Sequence, residues 1–460
     1  MIIVILLLLF TPALAHSATA WVDDNGAAAW GACQGSTPLS GASACAYATV
    51  MTNAAAGDTV YFRAGTYDVG LRGSNREVPN LNPTNSGTAG SPITFKGYNG
   101  ETVTVTGSVD AGSRAAYFGC GTRNYITWDG FTTTYANLTT GESHMWGGWN
   151  STGCVIKNST FTGIDRTGQG TSNSSFLRFE FCDSCTATNN LFQNMGGGAG
   201  EVNTTAIWGF TSNALTITYN SCIGTHGCIY MKNGPNGGTF AYNFLQGGAS
   251  PYEMSRGVYM SSQAVHTNDN IAVHHNLILT ANTAIQTDNS GNTLDDMLIY
   301  NNTVYGGCGN RGILLVSGTL RALVYNNILS ECPNVQSYVL DGTSDPTTGN
   351  YNLFNHSATI TWRGGASGTT TYTSLAAWQA ATMYDDNSTT SSPGFVNAGG
   401  TGRNDYKLVG GSAAIGAGQG GVDMGAFQGV SCLGQGCTSG VVFTSSIGGR
   451  GSFGGTVRLQ

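Results

Sequence analysis

A short motif that keeps returning constrains this chain more than any other feature. Gly227-Cys-Ile-Tyr-Met-Lys232 follows degenerate copies at Ser175-Phe-Leu-Arg-Phe-Glu180 and Thr205-Ala-Ile-Trp-Gly-Phe210. Further copies are Arg256-Gly-Val-Tyr-Met-Ser261, Thr283-Ala-Ile-Gln-Thr-Asp288 and Arg311-Gly-Ile-Leu-Leu-Val316. A strand-length run that recurs about every 20 to 30 residues predicts a solenoid, each copy lying on the one before. A second series runs out of phase with the first. Asn190, Asn220, Asn243, Asn276, Asn302, Asn327 and Asn352 follow one another at intervals of 23 to 33 residues. Asn tolerates the left-handed backbone region and satisfies turn amides with its side chain. Stacked in successive coils, such residues form a hydrogen-bonded ladder.

Strand side chains alternate in direction, so the motif sorts into columns. With Leu177, Ile207, Ile229, Val258, Ile285 and Ile313 inward, two columns face out. One is Arg178, Trp208, Tyr230, Tyr259, Gln286, Leu314; the other is Glu180, Phe210, Lys232, Ser261, Asp288, Val316. Aromatic and charged residues share that face, and function is expected there.

Composition agrees with many short strands and tight turns. Charged residues are 9% of the 460 and Gly numbers 68, against roughly 25% and 7% in ordinary domains. Apolar residues reach 40% with a net charge of −7, which excludes a disordered chain. No basic patch points to nucleic acid, and no Gly-rich loop stands in a strand-to-helix context for a nucleotide.

Ile2–Phe10 is an unbroken apolar run, followed by Pro12-Ala-Leu-Ala15. It predicts a secretory signal within residues 1–20, cleaved after Ala15 or Ala20, and is too short to span a bilayer. The protein is therefore expected outside the cytoplasm, with no membrane span after cleavage. Residues 21–428 form the expected solenoid with its end caps, and 429–460 a Gly/Ser-rich tail. The Ala-rich stretch Ser43–Ala56 predicts a helical entry cap, Ser374–Thr382 a second helix N-capped by Ser374, and 392–428 an irregular exit cap. Twelve cysteines in an exported chain predict disulfides. Cys308–Cys332, one coil apart, is the favoured pair; Cys33–Cys45, Cys222–Cys228 and Cys432–Cys437 are local candidates. Cys182-Asp-Ser-Cys185 has no second ligand pair, which favours a disulfide or free thiols over zinc.

Several segments resemble the right-handed parallel β-helix proteins of the pectin-lyase-like superfamily. They are Ala56-Gly-Asp-Thr-Val-Tyr-Phe-Arg-Ala-Gly-Thr-Tyr67, Pro92–Tyr98 with Val103–Gly107, the Asn-bearing turns, and the exit series Pro393–Asn397, Ser412–Gly418 and Asp423–Gln428. The resemblance implies an all-β right-handed parallel β-helix over roughly 21–428. It leaves the activity open among lyases, glycoside hydrolases and non-catalytic surface proteins. It also implies, for a uronide lyase, a Lys or Arg base at C5, with Ca2+ as the cofactor that meets the substrate carboxylate.

Proton abstraction beside a carboxylate requires that the developing charge be neutralised while a base stands within reach. Of four lysines, Lys232 alone lies in the central outward column, flanked by His226 and Arg256. Lys232 is the expected base, with Arg256 and His226 beside it. Arg178, Trp208, Tyr230, Tyr259 and Gln286 are the expected contacts to a polysaccharide. Glu180, Asp183 and Asp288, with Glu201 and Glu253 near them, are the expected oxygen ligands for Ca2+. A hydrolase would need two carboxyls about 5–9.5 Å apart; Glu180 and Asp288, four copies apart, lie about 19 Å from one another at ~4.8 Å per copy. A glycan-binding surface protein would need only the aromatic groove. The reading adopted is a polysaccharide lyase, with the non-catalytic binder as the alternative and a hydrolase as the second.

Overall fold

The computed structural model describes residues 17–427 and residue 435, apart from 72–78, 109–115, 135–143, 166–172, 198–202, 234–235, 262–269, 289–293, 317–318, 339–347, 358 and 365–369. The signal segment, the Cys432–Cys437 pair, Glu201 and the tail lie outside the described residues. The second candidate cleavage point falls inside the first strand, Thr19–Val22, where Ala20 is fully buried.

The chain coils as a parallel β-helix. Its strands stack into three long sheets of 12, 11 and 11 strands, each strand pairing with its equivalent one coil away. The first sheet runs from Thr19–Val22 to Thr348–Asn350, the second from Gly65–Leu71 to Leu353–Asn355. The third begins at Ala116–Gly121 and closes on Thr370–Tyr372, which pairs antiparallel with Thr361–Gly364.

Register follows the repeat. Leu177, Ile207, Ile229, Val258, Ile285 and Ile313 are paired in one continuous column of the third sheet and all are buried. In the first sheet Phe95, Trp128, Ile156, Ala187, Ile217, Phe240, Val273, Ile299 and Val324 form a matching inward column. These side chains belong to one apolar core that runs along the coil. Each large aliphatic residue buried there contributes about 1.5–3 kcal/mol.

Strict alternation fails at one place in the third sheet. Phe176, Ala206, Cys228 and Ala284 precede the inward column, yet also belong to the core. The strand therefore bends so that two successive residues face inward. The residue before the bend turns outward and creates a third outward column that alternation does not predict: His144, Ser175, Thr205, Gly227, Arg256, Thr283, Arg311.

The Asn series forms the expected ladder at the corner between the first two sheets. Asn190 Nδ2 donates to Asn220 Oδ1 at 3.0 Å, and the same contact recurs through Asn243, Asn276, Asn302, Asn327 and Asn352 at 2.9–3.1 Å. The left-handed conformation falls on the residue before each ladder Asn: Asn189, Tyr219, Tyr242, His275, Asn301, Asn326 and Tyr351 have φ of 53–58°. The ladder Asn bonds, and its predecessor makes the turn.

The ends are closed as expected, with one difference. Helix Tyr47–Asn53 buries Val50 and Met51 at the entry. At the exit, Ser374 Oγ caps helix Leu375–Thr382 by accepting from the Ala377 amide, and Trp378 is buried. Residues 393–427, expected to cap the end, fold back along the outside of the second sheet instead. Tyr406 and Ala426 pack on Phe244, Leu277 and Leu279, and Ala414 and Met424 on Ile328 and Leu353. That sheet carries apolar residues on its outer face, and the exit segment removes them from water.

Cys33–Cys45, Cys222–Cys228 and Cys308–Cys332 are bonded, joined by Cys120–Cys154. Cys182 and Cys185 are buried free thiols. Four disulfides fit an oxidising, extracytoplasmic compartment. Among the described residues no helix is long and apolar enough to cross a membrane.

Candidate functional site

The outward face of the third sheet holds the aromatic and charged residues. Arg178, Trp208, Tyr230, Tyr259 and Gln286 stand in one paired column. Glu180, Phe210, Lys232, Ser261 and Asp288 stand in the next. Sequence register alone brings these ten side chains onto one surface.

The aromatics make a small cluster separate from the core. Tyr230 and Tyr259 stack at 4.5 Å between centroids, and Trp208 meets Tyr230 edge-on at 6.4 Å. Their exposed areas are small: 2% for Trp208, 5% for Tyr230 and 6% for Tyr259. Arginines occupy the remaining faces. The Arg178 guanidinium lies 3.6 Å from the Trp208 ring centre, and that of Arg256 4.2 Å from Tyr259. Cation–π contact of this kind positions the guanidinium. The rings expected as open platforms for sugar stacking are the floor on which the arginines lie.

Arg178 is committed within the protein. Its Nε donates to Glu180 Oε2 at 2.6 Å and Nη1 approaches His144 Nε2 at 3.0 Å, all three groups being buried. A guanidinium only donates, so His144 Nε2 accepts, and the proton on Nδ1 is left for Ser175 Oγ at 2.7 Å.

The expected Ca2+ ligands do not converge. Glu180 is held by Arg178, Asp288 Oδ2 accepts the Tyr259 hydroxyl at 2.6 Å, and Asp183 accepts from Asn213 at an exposed corner. Glu253 is exposed on a turn. Among the described residues no three His, Cys, Asp or Glu side chains are grouped to hold a metal ion. Held apart in this way, Glu180, Asp183 and Asp288 do not fit a Ca2+ site.

Arg256, His226, Tyr230 and Tyr259 are brought together. They line one shallow depression with Thr204, Thr205, Gly227 and Ser255. The depression exists because the outward column carries Gly227 between Thr205 and Arg256, so a side chain is missing there. The His226 ring is seated against Gly197, where an added Cβ would come within 2.3 Å of the imidazole. Arg256 donates from Nε to Gln286 Oε1 at 3.0 Å, and among the described residues its Nη1 has no partner. The Thr204 and Thr205 hydroxyls are also unpartnered. Three buried donors thus converge on one hollow without a protein acceptor. Burial pushes the Tyr230 hydroxyl up to about 12, with the Ser261 hydrogen bond opposing it, so the phenol stays protonated at neutral pH. The Tyr259 hydroxyl is raised by burial and by its bond to Asp288.

Lys232 stands apart from this group. Arg256 pairs with Gly227, five residues before Lys232 on the same strand. At ~3.3 Å per residue that is about 16 Å between their backbones, measured along the strand. Lys96 and Lys157 both lie 3.6 Å from Asp129 on the first sheet. Lys232 is half-buried and, among the described residues, its ammonium has no hydrogen-bond or ion-pair partner.

Thr204, Thr205 and Gly227 were not singled out in the sequence. A small residue at or just before the first motif position carries no signal until the bend turns Thr205 outward.

No protein-family model matches the chain, and no curated protein matches it. Among solved structures it is similar to pectate lyase Pel9A, at 14% identity over 89% of this chain and 96% of that one, with a TM-score of 0.47. It is similar to a mannuronic acid specific polysaccharide family 6 lyase from human gut microbiota, at 13% identity over 68% and 72%, TM-score 0.45. It is also similar to XylC in complex with xylose, at 12% identity over 73% and 83%, TM-score 0.46.

Proposed function

We propose that this exported β-helix protein cleaves a uronic-acid-containing polysaccharide by β-elimination, at the Arg256–His226 depression. The observation that carries the reading is the unpartnered Arg256 Nη1, held in a hollow whose other wall is an imidazole. Arg256 neutralises the uronate carboxylate, which stabilises the charge that builds when the adjacent C5 proton leaves. His226 takes that proton; imidazole is a base at neutral pH. The electron pair forms the C4–C5 double bond, the C4–O bond breaks, and the Tyr230 hydroxyl protonates the departing oxygen. The separation of about 16 Å moves the base from Lys232 to His226. Lys232 then takes no part in the cleavage. Hydrolysis is disfavoured because Glu180 and Asp288, the carboxylates of this face, are each engaged by a protein donor.

The test is incubation with a panel of uronides, followed by ultraviolet absorbance of the unsaturated product. Product from the wild-type chain, its loss in Arg256→Gln and His226→Ala, and its retention in Lys232→Ala are expected. Binding of the panel with no product from any member supports the non-catalytic glycan binder instead.

A further inference from the structure

Four cysteines meet in the core where the third sheet turns into the first. Cys120 stands near the end of strand Ala116–Gly121, Cys154 precedes Val155–Lys157, and Cys185 precedes Thr186–Thr188. Val155 pairs with Thr186 and Thr152 with Asp183, so Cys154 and Cys185 lie opposite one another on adjoining coils. The Cys154 amide donates to Cys185 Sγ at 3.3 Å. Cys182, in the same turn as Cys185, hydrogen-bonds it thiol to thiol and lies 3.1 Å from Ser151 Oγ. All four cysteines are fully buried, yet only Cys120 and Cys154 are bonded.

Cys154 therefore has a candidate partner on each side. Parallel neighbours lie ~4.8 Å apart, inside the Cα range of a disulfide. Cys120–Cys154 spans 34 residues and a Cys154–Cys185 bond would span 31. Loop-closure entropy follows the logarithm of that length, so it does not choose between them. The three cysteines belong to successive coils, which puts an attacking Cys185 and a leaving Cys120 on opposite sides of Cys154. Burial pushes the Cys185 thiol up, and its bond to Cys182 adds to this, so the resting sulfur keeps its proton. Asp183 and Ser184, between the two thiols, are exposed, and opening that one turn admits water.

We propose that Cys120, Cys154 and Cys185 form an internal thiol–disulfide exchange site, through which a covalent clamp moves one coil toward the exit. Cys185 Sγ loses its proton and bonds to Cys154 Sγ. The Cys120–Cys154 bond breaks, and Cys120 leaves as a thiolate that takes up a proton. One disulfide and two thiols stand before and after, so no oxidant or reductant is consumed. The site is separate from the Arg256–His226 depression and does not depend on any glycan chemistry.

Disulfide mapping of the full wild-type chain tests this. Protein purified without reductant is held anaerobically at about pH 8.5, where an accessible thiol is half ionised. No thiol or oxidant is added, and samples are quenched in acid, blocked with N-ethylmaleimide and mapped by mass spectrometry without reduction. Blocked Cys120 appears as blocked Cys185 declines by the same amount, and a Cys154–Cys185 peptide rises to within about tenfold of the Cys120–Cys154 peptide. The fraction exchanged is the same on dilution, and the Cys308–Cys332 peptide stays constant. Cys185→Ser abolishes the labelling of Cys120; where that variant fails to fold, the wild-type map decides alone. Blocking confined to Cys182 and Cys185 at every time, or a Cys182–Cys185 peptide in place of Cys154–Cys185, overturns the proposal.

Discussion

At the scale of single residues, the Asn ladder shows how one side-chain type holds a coil. Asn276 Oδ1 accepts from the backbone and side-chain nitrogens of Asn243, while its Nδ2 donates to Asn302 Oδ1 and the Phe240 carbonyl. Every amide along the ladder points its N–H toward the exit, and the last, Asn352, donates to the buried Asp385. The carboxylate also accepts from Trp378 Nε1 and Ser388 Oγ, so an anion closes the donor end. Asn276→Ala strands the Asn243 donors in a buried site. It should lower unfolding free energy by about 3 kcal/mol or more in urea titrations; a loss below about 1 kcal/mol would mean that the ladder is ornamental to stability.

Two histidines give a pH dependence. His274 and His275 share a hydrogen bond of 2.8 Å between their Nδ1 atoms, so at least one ring must be neutral. Burial lowers His274 from 6.5 to about 4, and burial with His274 nearby lowers His275 further. The folded values lie below the unfolded ones, so the stability these groups confer is full above about pH 6.5 and is lost as pH falls toward 4. Replacing both with Gln should flatten the stability profile between those values; an unchanged slope would assign the acid sensitivity elsewhere.

At the scale of elements, the columns of the third sheet were legible and its bend was not. Leu177 through Ile313 could be placed inward because branched aliphatics recur at one motif position, and the two outward columns followed from parity. Parity breaks where Cys228 and Ile229 both enter the core, which moved Thr205 and Arg256 onto a third column. Lys232 and Arg256 belong to adjoining copies of the motif, but at its opposite ends, so a strand length separates them. Cys120–Cys154 carries no sequence signal, because neither cysteine sits in a copy of the motif. Arginine over tryptophan is a contact that no spacing encodes. The Gly197 seat of His226 joins two elements in a similar way. Gly197→Ala should displace the imidazole and cut turnover by about 100-fold while melting stays near wild type. Unchanged turnover would show that His226 takes no part in the reaction.

At the scale of the molecule, each coil contributes one strand to each sheet, so a surface property is a column property. The first sheet's outer face carries the Lys96–Asp129–Lys157 pairs, with Tyr300 and Tyr325 stacked at 5.1 Å further along. The second sheet's face is closed by the exit segment. On the third, among the described residues, Arg256 and Lys232 have no carboxylate partner, whereas Arg178 is paired with Glu180, and the proposed ligand binds at Arg256. A crystal of the His226→Ala protein grown with an acidic oligosaccharide tests this most directly. The account predicts a uronate carboxylate at Arg256, with its sugar ring over the hollow left by the His226 imidazole. A chain bound over the first sheet, or lying along a single strand with Arg256 untouched, would contradict it.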